Sequence, residues 1–385
     1  MPNLPNDTRA QRKRFGVLAR EWPLLISITT AALFLLFGQR WLADLASPIW
    51  FTFILGWLFG VILLSSFAVV RHAESLAVRL GEPLGTLVLT LAVTGIEVAM
   101  IAAAMFTGGG NPALARDAMF AVVMIVLNGM VGLSLLLGGL RHHEQTYNLQ
   151  GANAFLAMIL PLAVLGLVLP NFTTSSPGPT FSPRQATFLI VMSISLYGIF
   201  LAVQNVRHRH YFIASGSADG STDGDDAEHH GDLEVRSNSY HAGLLVTYFV
   251  PVVILSKQIA IPVDYGIHVL GAPKTLGGFL VATLVLSPES LAATRAALAN
   301  QLQRSVNILL GSVLATIGLT IPAVLAIGLT TGKPIILGLN AVDTTLLSLT
   351  LVLSTLTFTV SRTNVLLGAV HLLMFAAYVM LIFEK

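Results

Sequence analysis

LGTLVLTLAVTGIEVAM, residues 84–100, is apolar enough to cross a bilayer yet carries one carboxylate, Glu97, near its middle. A charge at that depth costs about 3 kcal/mol or more, so it usually faces a wet cavity or a partner and marks an ion path. The design recurs at residues 276–292, LGGFLVATLVLSPESLA, which open on the same Leu-Gly pair and carry Glu289 where the first stretch has Glu97. Leu84 and Leu276, like Glu97 and Glu289, stand 192 residues apart, so the match runs without a gap. The two stretches read as halves of one site.

Composition sets the class. Of 385 residues, 55% are hydrophobic and 10% charged, and the mean hydropathy is +0.79. A soluble domain carries roughly 25% charged residues, so the chain reads as an all-α protein that crosses a lipid bilayer many times. The absence of cysteine excludes disulfides and thiolate metal sites. Apolar runs of about 20 residues predict eleven helices, near 22–38, 49–70, 84–106, 118–140, 153–169, 185–206, 242–261, 268–290, 305–328, 335–360 and 364–383. The basic start, with Arg9, Arg12, Lys13, Arg14 and Arg20, has the look of a signal peptide. Its apolar run is slightly long for one and no Ala-x-Ala site follows closely, so the first helix is read as retained. With the amino terminus inside, the inner segments hold fourteen Lys and Arg and the outer ones five, which predicts a cytoplasmic amino terminus and an external carboxyl terminus.

The two Glu-bearing stretches are then the third and eighth helices. Five crossings apart, they enter the membrane from opposite sides, and an inverted repeat follows. Residues 1–48 hold the basic tail and an extra helix, 49–206 a first five-helix repeat with its core at 82–132, 207–241 a polar cytoplasmic loop, and 242–385 a second repeat with its core at 274–320. Transporters built this way hold substrate near the midplane, between the repeats, on broken or kinked helices. Gly95 lies two residues before Glu97, and Pro288 directly precedes Glu289. The proline frees the carbonyl of Leu284, which a bound cation or water can take up.

Thr86, Thr90, Thr94 and Glu97 follow one another at steps of four, four and three and share one helical face. Thr90 and Thr94 are therefore candidate ligands; alternatively each hydroxyl bonds its own backbone. The second stretch is not a copy: Gly278, Ala282 and Leu286 occupy those places, with Thr283, Ser287 and Ser290 elsewhere around the helix, so the site should be asymmetric. The following helices match as IVLNGMVG (125–132) and ILLGSVLA (308–315). They offer Asn128 and Ser312 as neutral oxygens, or small residues for close helix packing. Glu82, Gln303 and Asn307 are secondary candidates. In the 207–241 loop, Asp223, Asp225, Asp226, Glu228, His229 and His230 are candidates for sensing cytoplasmic cations. An EF-hand reading fails there, because Ala227 and Glu228 stand where an oxygen ligand and a glycine are needed. A solvated linker is the plainer reading of the loop.

The lack of HExxH, GxSxG and a membrane-embedded Asp pair argues against an intramembrane hydrolase. A cation channel shares pore-lining acids, but inverted halves with kinked central helices favour alternating access. Asn205, Asp343, Asn364 and His371 read as packing or interface residues.

Over nearly its whole length the chain resembles the ChaA-type bacterial calcium/cation:proton antiporters, within the calcium/cation antiporter superfamily. The likeness is most specific at LGEPLGTLVLTLAVTGIEV, GGFLVATLVLSPESL and NQLQRSVNILLGSVLATIGLTIPAV. It implies a protein of the bacterial inner membrane that exports cytoplasmic cations in exchange for protons, with Glu97 and Glu289 as the shared binding groups. Calcium exchangers of that superfamily commonly carry Gly-Asn-x-x-Glu in both repeats, whereas Val93-Thr94 and Val285-Leu286 stand here. The transported ion is therefore left open among Ca2+, Na+ and K+. Calcium takes six to eight oxygen ligands, and two glutamates would neutralise it; sodium or potassium is matched by one ionised carboxylate with the other protonated. Carboxylates withdrawn from water hold protons more tightly than in solution, so proton and cation compete for one pair. The expected partners are inorganic cations, protons and lipid, with no nucleic acid, no cofactor and no enzymatic reaction.

Overall fold

The computed structural model describes residues 21–81, 84–107, 111–212 and 236–384. Glu82 and the loop candidates Asp223, Asp225, Asp226, Glu228, His229 and His230 lie outside the described residues. Among the described residues the chain forms eleven apolar helices: α1 Trp22–Ala43, α2 Pro48–Leu80, α3 Leu84–Met105, α4 Leu114–His142, α5 Leu149–Asn171, α6 Pro183–Arg207, α7 Asn238–His268, α8 Leu276–Leu298, α9 Leu302–Thr331, α10 Ala341–Thr357 and α11 Val365–Phe383. Ten of them are long and apolar enough to cross a membrane, and α10 is shorter. Local signals set the starts: a Ser182–Gln185 capping box opens α6, and the Asn340 and Asn364 side chains cap α10 and α11, each accepting an otherwise unpaired amide.

Several spans differ from the sequence reading; the second, expected to end at 70, continues to Leu80. The eighth helix begins at Leu276 rather than 268, because Gly271 turns with a φ of +74° and Pro273 follows; α7 correspondingly runs on to His268. The tenth begins only at Ala341 rather than 335. Gly332 ends α9 in the left-handed region, and residues 333–340 after it form no helix or strand. Unwound backbone inside a membrane protein needs protein partners. Here Ile336 donates to the Pro112 carbonyl (3.0 Å) and Leu339 to that of Leu167 (2.8 Å).

The expected breaks in the Glu-bearing helices are also absent. Both α3 and α8 stay α-helical through Gly95 and Pro288. In α8 the hydroxyls of Thr283, Ser287, Ser290 and Thr294 each donate to the carbonyl four residues back, those of Phe279, Thr283, Leu286 and Ser290. The irregular turns lie in the neighbouring helices, with π segments at Ile125–Met130 in α4, Val164–Val168 in α5, Val203–Arg207 in α6 and Thr316–Thr320 in α9. Single π turns often mark functional sites.

The matching helices α4 and α9 form the centre, each with 78% of its apolar window buried, against 28% for α6 and 22% for α11. The extra helix α1 fastens to α2 through a Ser27–Ser65 hydroxyl pair (2.6 Å) and the Trp57 indole donating to Thr30 (3.2 Å). On the side where the 207–241 segment attaches, β1 (Gln145–Thr146) pairs antiparallel with β2 (Arg362–Thr363), joining loops of the two repeats.

Candidate functional site

A cavity of about 230 Å³ lies between α2, α3, α5, α6, α8 and α9, and Glu97 and Glu289 both line it. Its walls are Val70 and Glu74 near the end of α2, Thr86 and Thr90 near the start of α3, Gln204 near the end of α6 and Asn307 near the start of α9. All these helix ends lie on the side of the 207–241 segment, so the cavity reaches from the middle of the bundle toward that side.

One face of α9 serves both carboxylates. The Thr316 and Thr320 hydroxyls donate to Oε2 of Glu97 at 2.9 and 3.0 Å, and the Ser312 hydroxyl donates to Oε2 of Glu289. Thr316 and Thr320 bound the π segment of α9. Glu97 is 2% exposed, and its Oε1 has no hydrogen-bond partner among the described residues, nor has the buried Oγ1 of Thr94. Two acidic groups from inverted helices thus meet one cavity whose described lining holds no Lys or Arg.

Of the residues singled out in the sequence, Thr90, Thr94, Asn307 and Ser312 line this cavity beside the glutamates. Gln303 stands behind Asn307, donating to its Oδ1 (2.9 Å) while accepting from the Asn148 amide (2.6 Å). Others point elsewhere. The Asn128 amide nitrogen donates to the Thr350 hydroxyl of α10 at 2.8 Å, and its buried Oδ1, the oxygen expected as a ligand, has no hydrogen-bond partner among the described residues. Thr283 and Ser287 bond the carbonyls of Phe279 and Thr283. Leu284 lines a separate cavity of about 60 Å³ toward the opposite ends of α3, α7 and α8.

Sequence reasoning missed Thr316, Thr320 and Glu74. The threonines carry only an i, i+4 spacing as a signal. Glu74 lay beyond the expected end of the second helix at residue 70, but α2 continues to Leu80 and carries it into the cavity wall.

On the far side of the bundle α8 meets α4 closely. A Cβ built on Gly278 would fall 2.5 Å from the Ala118 nitrogen and the Asp117 carbonyl carbon, so the two backbones touch. Gly278 stands at the place of Thr86, which lines the open cavity in the other repeat.

The sodium/calcium exchanger protein family matches residues 49–206 and 241–384. The protein y4hA of Sinorhizobium fredii is 44% identical over 324 residues, covering 84% of this chain and 86% of its own. The sodium-potassium/proton antiporter ChaA of Escherichia coli is 43% identical over 322 residues, again covering 84% of this chain and 86% of its own. In fold, the native YfkE structure is similar with a TM-score of 0.71 at 16% identity, over 94% of this chain and 100% of that one.

Proposed function

The chain belongs to the sodium/calcium exchanger protein family and is a cation/proton antiporter; we propose that it works by alternating access, with Glu97 and Glu289 as the groups that cation and proton share. The observation that carries this reading is the single cavity lined by both carboxylates. A cation entering it meets ionised oxygens already oriented by α9 hydroxyls, so little reorganisation is needed to coordinate it. Protons arriving from the other side of the membrane neutralise the same oxygens and release it. A pair that reorients only when neutralised couples the two fluxes.

Basic residues are richer on the side of the 207–241 segment, which under the positive-inside rule is cytoplasmic. The cavity opening toward that side is then the inward-facing state, and cation export driven by proton entry is the direction we assign. Sodium or potassium is the cargo we favour over calcium. The relative at 43% identity bears the name sodium-potassium/proton antiporter, and hydroxyls rather than amides accompany the carboxylates here. Glu74, nearer the cytoplasmic mouth, is assigned to attracting cations and not to ligating them.

Everted vesicles test the reading. Glu97→Gln and Glu289→Gln should each abolish cation-dependent proton flux, measured separately with sodium, potassium and calcium. Undiminished exchange in either variant removes that residue from the site, and flux with calcium alone overturns the choice of cargo.

A further inference from the structure

On the side of the 207–241 segment, α1, α2 and α7 meet around a buried polar chain separate from the cavity. Glu21, at the start of α1, accepts from Arg71 (2.7 Å) and from the Tyr248 hydroxyl (2.8 Å) at Oε2, and from the Tyr240 hydroxyl (3.3 Å) at Oε1. His72 Nε2 lies 3.3 Å from the same Oε2. His72 Nδ1 lies 3.1 Å from Nδ1 of His241, and Nε2 of His241 accepts from the Arg236 backbone amide at 3.1 Å. His72 and His241 are 2% and 3% exposed. The rings of Tyr240 and Tyr248 pack on His72. The Arg79 guanidinium, on α2, donates to the Arg236 carbonyl.

These contacts fix the protons. An amide can only donate, so Nε2 of His241 is bare and its hydrogen sits on Nδ1. That hydrogen is donated to His72, whose Nδ1 is therefore bare and whose Nε2–H points at Glu21. Arg71 Nη2, 3.3 Å from that nitrogen, directs its hydrogen to the carboxylate instead. Both rings are thus neutral, and the chain of donors runs one way, from Arg236 through His241 and His72 to Glu21. Burial raises the Glu21 carboxyl, but hydrogen bonds from His72 and Tyr248, the charge of Arg71 and that of His72 once protonated outweigh it and hold the group at about 2. The acceptor end therefore stays ionised across the range in which histidine titrates.

A further proton has nowhere to go without breaking a link. On His241 Nε2 it displaces the Arg236 amide; on His72 Nδ1 it opposes the hydrogen of His241. The second case strengthens the contact of His72 with Glu21 while parting it from α7. We propose that the His72–His241 pair is a proton-operated catch: neutral, it ties the start of α7 and the end of the 207–241 segment to α2, and acid on that face releases it and slows exchange. His72 lies between Val70 and Glu74, which line the cavity, so releasing α7 from α2 acts on the cavity wall. The effect on exchange rests on the antiport cycle proposed above; the catch itself does not.

The chain has no cysteine, so Val78→Cys and Ser239→Cys, at exposed positions on α2 and α7, can carry a spin-label pair. The inter-label distance is followed from pH 8 to 5 in the Glu97→Gln background, where exchange is already lost and cannot drive the result. The distance distribution should shift reversibly between the two ends of that interval, from the tied to the released population. His72→Gln and His241→Gln should abolish the transition. In protein with Glu97 intact, each should also remove the acid-side loss of exchange in everted vesicles. A distribution that does not change with pH, or a transition that survives in a folded His72→Gln protein, overturns the catch. If neither histidine variant folds, the titration of the labelled Glu97→Gln protein decides alone.

Discussion

Replacing Thr316 with Val keeps the shape of the side chain and removes one of the two hydroxyls that Glu97 accepts, the one at 2.9 Å. Thr320→Val removes the other, at 3.0 Å. A hydrogen bond to a charged acceptor contributes about 1.5–3 kcal/mol, and about 1.4 kcal/mol is a factor of ten. Each variant should therefore raise the apparent KM for the cation by about 10- to 100-fold at fixed pH. Both bonds end on one oxygen, so the double variant should lose less than the product of the two single effects. Thr350→Val is the control, since its hydroxyl pairs with Asn128 outside the cavity. The assay is proton release from reconstituted protein against cation concentration, with thermal unfolding as a check on folding. Folded Thr316→Val and Thr320→Val proteins with wild-type KM would refute the claim that α9 orients the Glu97 carboxylate for binding.

Three other outcomes follow from the structure. Glu74→Gln should leave coupling intact and raise the apparent KM a few-fold at low ionic strength, with the difference fading above about 0.15 M as screening shortens; an effect independent of salt would argue against attraction by charge. Gly278→Val forces a side chain into the α4–α8 contact, and should cost about 1–3 kcal/mol or more, read as a lowered Tm or loss of folded protein in detergent. The Glu21 carboxyl is held at about 2 when folded against about 4.3 for a free glutamate. Its stabilisation is therefore complete above about pH 4.3 and is lost as the pH falls toward 2, and Glu21→Gln should flatten the fall in Tm over that interval.

The pair of carboxylates was legible because it is written twice, at one offset, in stretches whose apolar setting makes any acid conspicuous. Helix number and order were legible for a similar reason, since lipid demands long apolar runs. What failed was detail that depends on the partner. Pro288 does not interrupt α8, which stays helical from Leu276 to Leu298. The interruption falls in α9, at TIGLT (316–320), whose composition gives no hint of a π turn. Asn128 matches a glycine beside Ser312, yet its amide nitrogen pairs with Thr350 of α10 and it is not among the residues that line the cavity. Thr316 and Thr320 reach Glu97 across more than 200 residues of sequence, a pairing that only the packing of one repeat on the other creates. Glu74 escaped because hydropathy ends the second helix where its polar residues begin, although α2 continues for ten more.

The contact at Gly278 makes the carrier lopsided. On the far side a bare glycine lets two main chains meet. In the alternating-access cycle proposed above, the side of the 207–241 segment must seal in its turn; Thr86 occupies the corresponding place there, and its methyl and hydroxyl should hold the helices further apart than a glycine does. On that reading the outward pose is no mirror image of this one and is the less stable of the two. An unladen carrier should then wait with its mouth on the side of the 207–241 segment, and the bound ion must supply the difference that turns it outward.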